Sequence, residues 1–129
     1  MKGFDKWNEI KKALSKVSTI RGFKEREIFY AMIGQNVGFE QNGTGNKFIR
    51  PVVILKKLNR YSFYAVPLSS TQKRNRFYFA FTFKDDVESV AILSQVRFMD
   101  AKRLLNKIGM ISKDDFEQLK EEIKKVMFE

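Results

Sequence analysis

Three polar residues stand at the edges of apolar, strand-like runs. Arg50 precedes Pro51-Val52-Val53-Ile54-Leu55, Ser69 lies in Pro67-Leu68-Ser69-Ser70, and Gln95 lies in Leu93-Ser94-Gln95-Val96-Arg97. A guanidinium, a hydroxyl and an amide held rigidly by β structure can grip a phosphodiester, stabilise charge growing on its oxygens and orient an attacking hydroxyl. The chain contains neither histidine nor cysteine. Imidazole acid–base chemistry, Ser-His-Asp triads, thiolate metal sites and disulfides are therefore excluded. Any catalysis has to run on Arg, Lys, Tyr, Ser, Thr and carboxylates.

Arg50 suits the charge-stabilising role, because a planar, permanently cationic guanidinium forms two parallel bonds to phosphate oxygens. Pairing with Glu40 is the structural alternative for the same residue. Ser69 can donate to a phosphate oxygen or orient a ribose 2′-hydroxyl, although a Ser-Ser pair ending a strand is also ordinary turn material. Gln95 and Arg97, two apart, share a face if their segment is extended, and Arg97 has Asp100 as a second possible partner. The one carboxylate cluster, Asp85-Asp86-Val87-Glu88, reads as a solvated β-turn, so no metal and no cofactor are expected.

Twenty-five Lys and Arg against fifteen Asp and Glu leave +10 on 129 residues, a charge that favours a polyanionic partner through phosphate contacts. The amino-terminal segment lacks the apolar core of a signal peptide and no run is long enough to span a bilayer, which predicts a cytoplasmic protein without membrane attachment.

The elements that must position these residues follow from periodicity. Phe4, Trp7, Ile10, Leu14 and Val17 form one helical stripe. Residues 27–33 read as a strand, and residues 34–46, with four glycines and three asparagines, as a long loop. Pro51 cannot donate to a ladder, so the next strand is expected over 52–56 with the proline at its beginning. A hairpin through Leu58-Asn59-Arg60 leads to a strand over 61–68. In residues 77–83, Phe77, Phe79, Phe81 and Phe83 alternate and should face one side. Residues 89–93 give another strand, Asp100 caps a short helix reaching Leu105, and Ser112-Lys113-Asp114-Asp115 opens a terminal helix carrying Phe116, Leu119, Ile123 and Val126. The pattern predicts an α+β domain around a small, strongly curved antiparallel sheet.

In their order and spacing, the runs at Arg50-Pro51, Pro67-Leu68-Ser69-Ser70 and Gln95-Val96-Arg97 resemble those of the MazF/PemK (Kid) toxins of type II toxin–antitoxin systems, over roughly residues 25–126. The resemblance implies an SH3-like β-barrel with a carboxy-terminal helix, here with an added amino-terminal helix, so that residues 1–24 form an extension and 25–129 the toxin domain. It further implies a homodimeric, metal-independent endoribonuclease cutting single-stranded RNA, with 2′,3′-cyclic phosphate and 5′-hydroxyl products, restrained by an acidic antitoxin. Arg50 and Ser69 take the catalytic positions, with serine where the family usually has threonine. Gln41, Ser70, Lys73, Arg74, Arg76, Gln95 and Arg97 become RNA contacts. A gyrase-poisoning toxin similar to the CcdB proteins and a non-catalytic RNA-binding module are the rival readings. The former would depend on carboxy-terminal helix residues.

Overall fold

The computed structural model describes residues 22–34, 49–70 and 73–129. The expected amino-terminal helix, most of the glycine-rich loop and Gln41 lie outside them. Seven antiparallel strands follow one another: β1 Glu27–Met32, β2 Ile49–Asn59, β3 Ser62–Ser69, β4 Tyr78–Lys84, β5 Val87–Ile92, β6 Arg97–Asp100 and β7 Leu104–Met110, before the helix α1, Lys113–Phe128. Their hydrogen-bonded order is β4-β5-β3-β2-β1-β7, with β6 added against β3. Among the described residues no helix is long and apolar enough to cross a membrane.

The sheet coils without closing, so the expected barrel is corrected to an open sheet. The terminal strands β4 and β7 share no ladder among the described residues, yet they meet through side-chain packing. A Cβ on Gly109 of β7 would lie 2.5 Å from Cδ2 of Phe83 in β4. Only a residue without a side chain lets the strand pass this close to the ring.

Alternation along each strand produces two apolar faces. The inner face joins Ile28, Val53, Val66, Leu68, Phe79, Phe81 and Ala91 to Phe116, Leu119 and Ile123 of α1. On the other face Phe29, Ala31, Val52, Ile54, Phe63 and Ala65 pack with Met99, Ala101 and Leu104. Helix α1 is placed by its start. The Ser112 hydroxyl accepts from the Asp115 amide at 3.1 Å, Asp114 and Asp115 complement the dipole in the first turn, and Ile111 donates its amide to the Arg26 carbonyl at 3.0 Å. Arg26, with φ 81°, turns the chain into β1 while its Nε donates to the Ile111 carbonyl at 3.1 Å. The helix thus begins beside the start of β1 and covers that end of the inner face.

Several expectations need correction in detail. Strand β2 begins at Ile49, so Pro51 lies inside it, paired with Tyr30 of β1. This is tolerated because the β2–β3 ladder starts only at Val52, one residue after the missing N–H. Leu58 and Asn59 remain in β2, and the hairpin turns at Arg60-Tyr61, where the Asn59 side chain accepts from the Tyr61 amide at 2.8 Å. Of the four alternating phenylalanines, Phe79 and Phe81 are buried and Phe83 half-buried, each neighbouring pair with ring centroids 6.0 Å apart. Phe77 precedes β4 and is exposed. The helix expected after Asp100 is a single 3-10 turn, Ala101–Arg103, with Asp100 accepting from the Lys102 amide at 2.8 Å. It stops there because Leu104 is needed as the ladder partner of Ala31.

Candidate functional site

The ladders run so that β1, β3 and β4 end, and β2, β5 and β7 begin, at one end of the coiled sheet, opposite the helix. Arg50, the second residue of β2, and Ser69, the last of β3, both belong to that end. The β2–β3 register pairs Val52 with Pro67. Continued outward, it sets Pro51 against Leu68 and Arg50 against Ser69. At this point β3 changes partner, since Leu68 and Ser69 pair with Ala91 and Val90 of β5. Arg50 and Ser69 therefore flank a fork where β2 and β3 separate, on the face that alternation shares with Val52, Ile54 and Ala65. Arg50 is exposed, with no ion pair to a carboxylate among the described residues, and Ser69 is half-buried. Ser70, exposed, follows just past the strand end.

Arg97 opens β6 opposite Ala65. By alternation it looks to the same face as Ser69, four residues along β3 and so roughly 13 Å away. Its expected pairing with Asp100 is not formed among the described residues. Gln95 does not join this group. It sits in the 3-10 turn Leu93–Gln95 packed against α1, at the helix end of the molecule, and the turn breaks the alternation that would have given it the face of Arg97.

The basic stretch after Ser70 is not a free hairpin tip. Its described part, from Lys73, leads into β4 on the far side of β5, where Val90 faces Ser69 of β3 and Ala80 of β4, so that Tyr78, opposite Ile92, stands two residues along β5 from Ser69. Arg74 is ion-paired with Glu88 of β5, two residues from the ladder partner of Ser69. That pairing holds one cation on the fork side. Arg76 goes the other way: its Nη2 donates to the Lys125 carbonyl in the last turn of α1 at 3.3 Å, and its guanidinium lies 5.4 Å from the Phe77 ring centre. Lys73 lies 5.8 Å from the Tyr78 ring centre. The carboxylates Asp85 and Asp86 form the β4–β5 turn as expected, with φ of 48° and 59°.

A feature that the strand motifs did not disclose lies beside the fork. The inner face, filled by α1 at one end, opens at the other into a cavity of about 550 Å³ bordered by Tyr30, Pro51, Phe83, Ser89, Asn106 and Ile108, among others. Tyr30 continues the inner-face row of Ile28 yet stays 40% exposed. The sequence has the tyrosine; only the fold shows that no helix among the described residues covers it.

The described residues thus form a small coiled antiparallel sheet with one helix across an end and an exposed arginine and a serine beside a strand fork, in a chain of net charge +10. The model of the PemK-like, MazF-like toxins of type II toxin–antitoxin systems matches residues 24–127, and the chain belongs to that family. Solved structures agree on the fold. The Mycobacterium tuberculosis toxin MazF-mt6 superposes with a TM-score of 0.62 at 17% identity, covering 79% of this chain and 96% of that one. MazF from Deinococcus radiodurans gives 0.61 at 14% identity, covering 83% and 97%. A mycobacterial endoribonuclease in complex with its cognate antitoxin gives 0.60 at 11% identity, covering 80% and 92%. No curated protein sequence matches.

Proposed function

We propose that this toxin is a metal-independent endoribonuclease that cuts single-stranded RNA at a short sequence, acts as a homodimer in the cytoplasm and is neutralised by an acidic antitoxin. What supports the reading is that Arg50 and Ser69 each lie two residues beyond the outermost β2–β3 ladder pair, Val52 with Pro67, and so flank the fork between these strands. With no imidazole or thiol in the chain, the simplest chemistry uses the RNA's own 2′-oxygen as nucleophile. That oxygen attacks the adjacent phosphorus, the bond to the 5′-oxygen of the next nucleotide breaks, and the 2′-proton is lost as the leaving oxygen gains one. Arg50 stabilises the charge on the non-bridging oxygens, since its guanidinium stays protonated. The Ser69 hydroxyl orients the 2′-OH or donates to a phosphate oxygen, and Arg97 and Arg74 extend the cationic surface along the strand.

A mycobacterial relative of the same fold is an endoribonuclease solved with its cognate antitoxin, and an acidic, initially disordered tail is the partner that a +10 surface would steer. Such a tail would compete with RNA for Arg50, Ser70, Lys73 and Arg74. The decisive experiment incubates the protein with a defined long RNA in EDTA and analyses the ends. The expected products are a 2′,3′-cyclic phosphate upstream and a 5′-hydroxyl downstream, with no cutting where the scissile nucleotide is 2′-deoxy. Cutting of that deoxy substrate at the normal rate would rule out internal attack. Intact RNA in an assay where the toxin still arrests growth would turn the reading toward a non-nuclease target.

A further inference from the structure

We infer that the open mouth of the coiled sheet, between Tyr30, Phe83 and Asn106, is a pocket for a single nucleobase next to the scissile phosphate, and so selects the cleavage sequence. The inference rests on the nuclease reading and names the part of the substrate that this end of the molecule holds.

The mouth is a continuation of the core. Tyr30 lies two residues beyond Ile28, Pro51 two before Val53, Phe83 two beyond Phe81 and Ser89 two before Ala91, so each continues an inner-face row of a strand. At the other end α1 fills these rows with Phe116 and Leu119. Here nothing described fills them, and a cavity of about 550 Å³ remains. That is within the usual range for small-molecule sites, which favour the mouths of β-barrels.

Its chemistry suits a base better than a phosphate. Pro51, Phe83, Val87 and Ile108 supply apolar and aromatic wall. Tyr30, Ser89 and Asn106 bring a phenol, a hydroxyl and a carboxamide, which match the donors and acceptors of a base edge. Lys84 and Asp85 both border the cavity and offset one another in charge, so the mouth lacks the cationic excess a phosphate would demand.

The position supplies the link to the cleavage site. Pro51 follows Arg50 directly, and Ser89 precedes Val90, the ladder partner of Ser69. Alternation turns Arg50 and Ser69 to one face and their neighbours Pro51 and Ser89 to the other. A nucleotide straddling the sheet edge would therefore leave its phosphate with Arg50 and Ser69 while its base enters the mouth.

The test titrates the full-length protein, methyl-labelled at valine and isoleucine, with each of the four nucleoside 3′,5′-bisphosphates. One base should shift the Val87 and Ile108 methyl signals saturably and bind at least tenfold tighter than the others. Asn106→Ala, at an exposed position, should erase that preference while keeping the shifts, and in RNA cleavage it should relax the requirement at one nucleotide. Absent or equal shifts from all four compounds would overturn the pocket, as would an unchanged cleavage sequence in Asn106→Ala. Mouth signals that change on diluting the free protein would overturn it in favour of a second copy seated there. Selective binding by a protein that cuts no RNA would uphold the pocket and remove only the nuclease reading.

Discussion

The two ends of the coiled sheet are built from the same rows of residues and have opposite fates. At the helix end Ile28, Val66 and Phe81 meet Phe116, Leu119 and Ile123, and Leu119 is fully buried. At the other end Tyr30, Phe83 and Val87 occupy equivalent inward positions, yet Val87 is 63% exposed. Strand alternation decides only which way a side chain points. Whether that direction leads to core or cavity depends on whether another element lies across it. Among the described residues one end is filled by the helix and the other borders a cavity, with Arg50 and Ser69 on the strands that form its edge.

The sharpest way to break this comparison is to truncate both ends. Leu119→Ala should destabilise the protein by about 2–5 kcal/mol, as expected for a fully buried leucine, whereas Val87→Ala should stay within about 0.5 kcal/mol. Chemical denaturation of both variants measures the difference, and equal losses would mean that the mouth is as tightly packed as the core. Functionally the order should reverse. Arg50→Ala should reduce RNA cleavage by about two to three orders of magnitude, the usual effect of removing one preorganised charge-stabilising donor, with an unfolding midpoint close to the parent's because Arg50 is exposed. Ser69→Ala should lose less, and Ser69→Thr should keep or raise the rate, because its extra methyl restricts the rotamer. Full cleavage by a folded Arg50→Ala protein would remove the fork as the site.

A smaller effect should appear where the sheet ends meet. Gly109→Ala would place a methyl 2.5 Å from the Phe83 ring, forcing the ring toward the mouth and lowering stability by about 1–3 kcal/mol. If the thermal midpoint does not fall, β4 and β7 are held apart by more than this contact. The smallest effect lies at the β4–β5 turn, where Asp85 and Asp86 both have positive φ. Such two-residue turns favour Asp-Gly. Asp86→Gly should raise stability by roughly 0.5 kcal/mol, and a decrease in the same denaturation assay would show that the Asp86 side chain stabilises the turn.

Much of the architecture was legible in local pattern. The alternating phenylalanines marked β4, and the Ser112 cap with the spacing of Phe116, Leu119 and Ile123 marked α1. Both signals are local, one set by strand pleat and the other by helix pitch. Reading failed where a distant partner decided the conformation. Leu104 leaves a nascent helix because β1 offers it a ladder. Pro51 sits inside a strand because β3 does not yet bond there. Gln95 loses the face of Arg97 because one 3-10 turn intervenes, and Arg76 is drawn from the fork by a carbonyl of α1.

By itself the sequence determined which groups could act: no imidazole, no thiol, a +10 charge, and an arginine and a serine each at the edge of an apolar run. Residue type and alternation are carried in the chain and need no neighbour to be read. The tertiary structure alone decided that Arg50 and Ser69 flank one fork, because the β2–β3 ladder joins residues apart in the chain and its register is set by which faces are buried. It alone formed the cavity beside them, because its wall is assembled from several strands that only folding brings together.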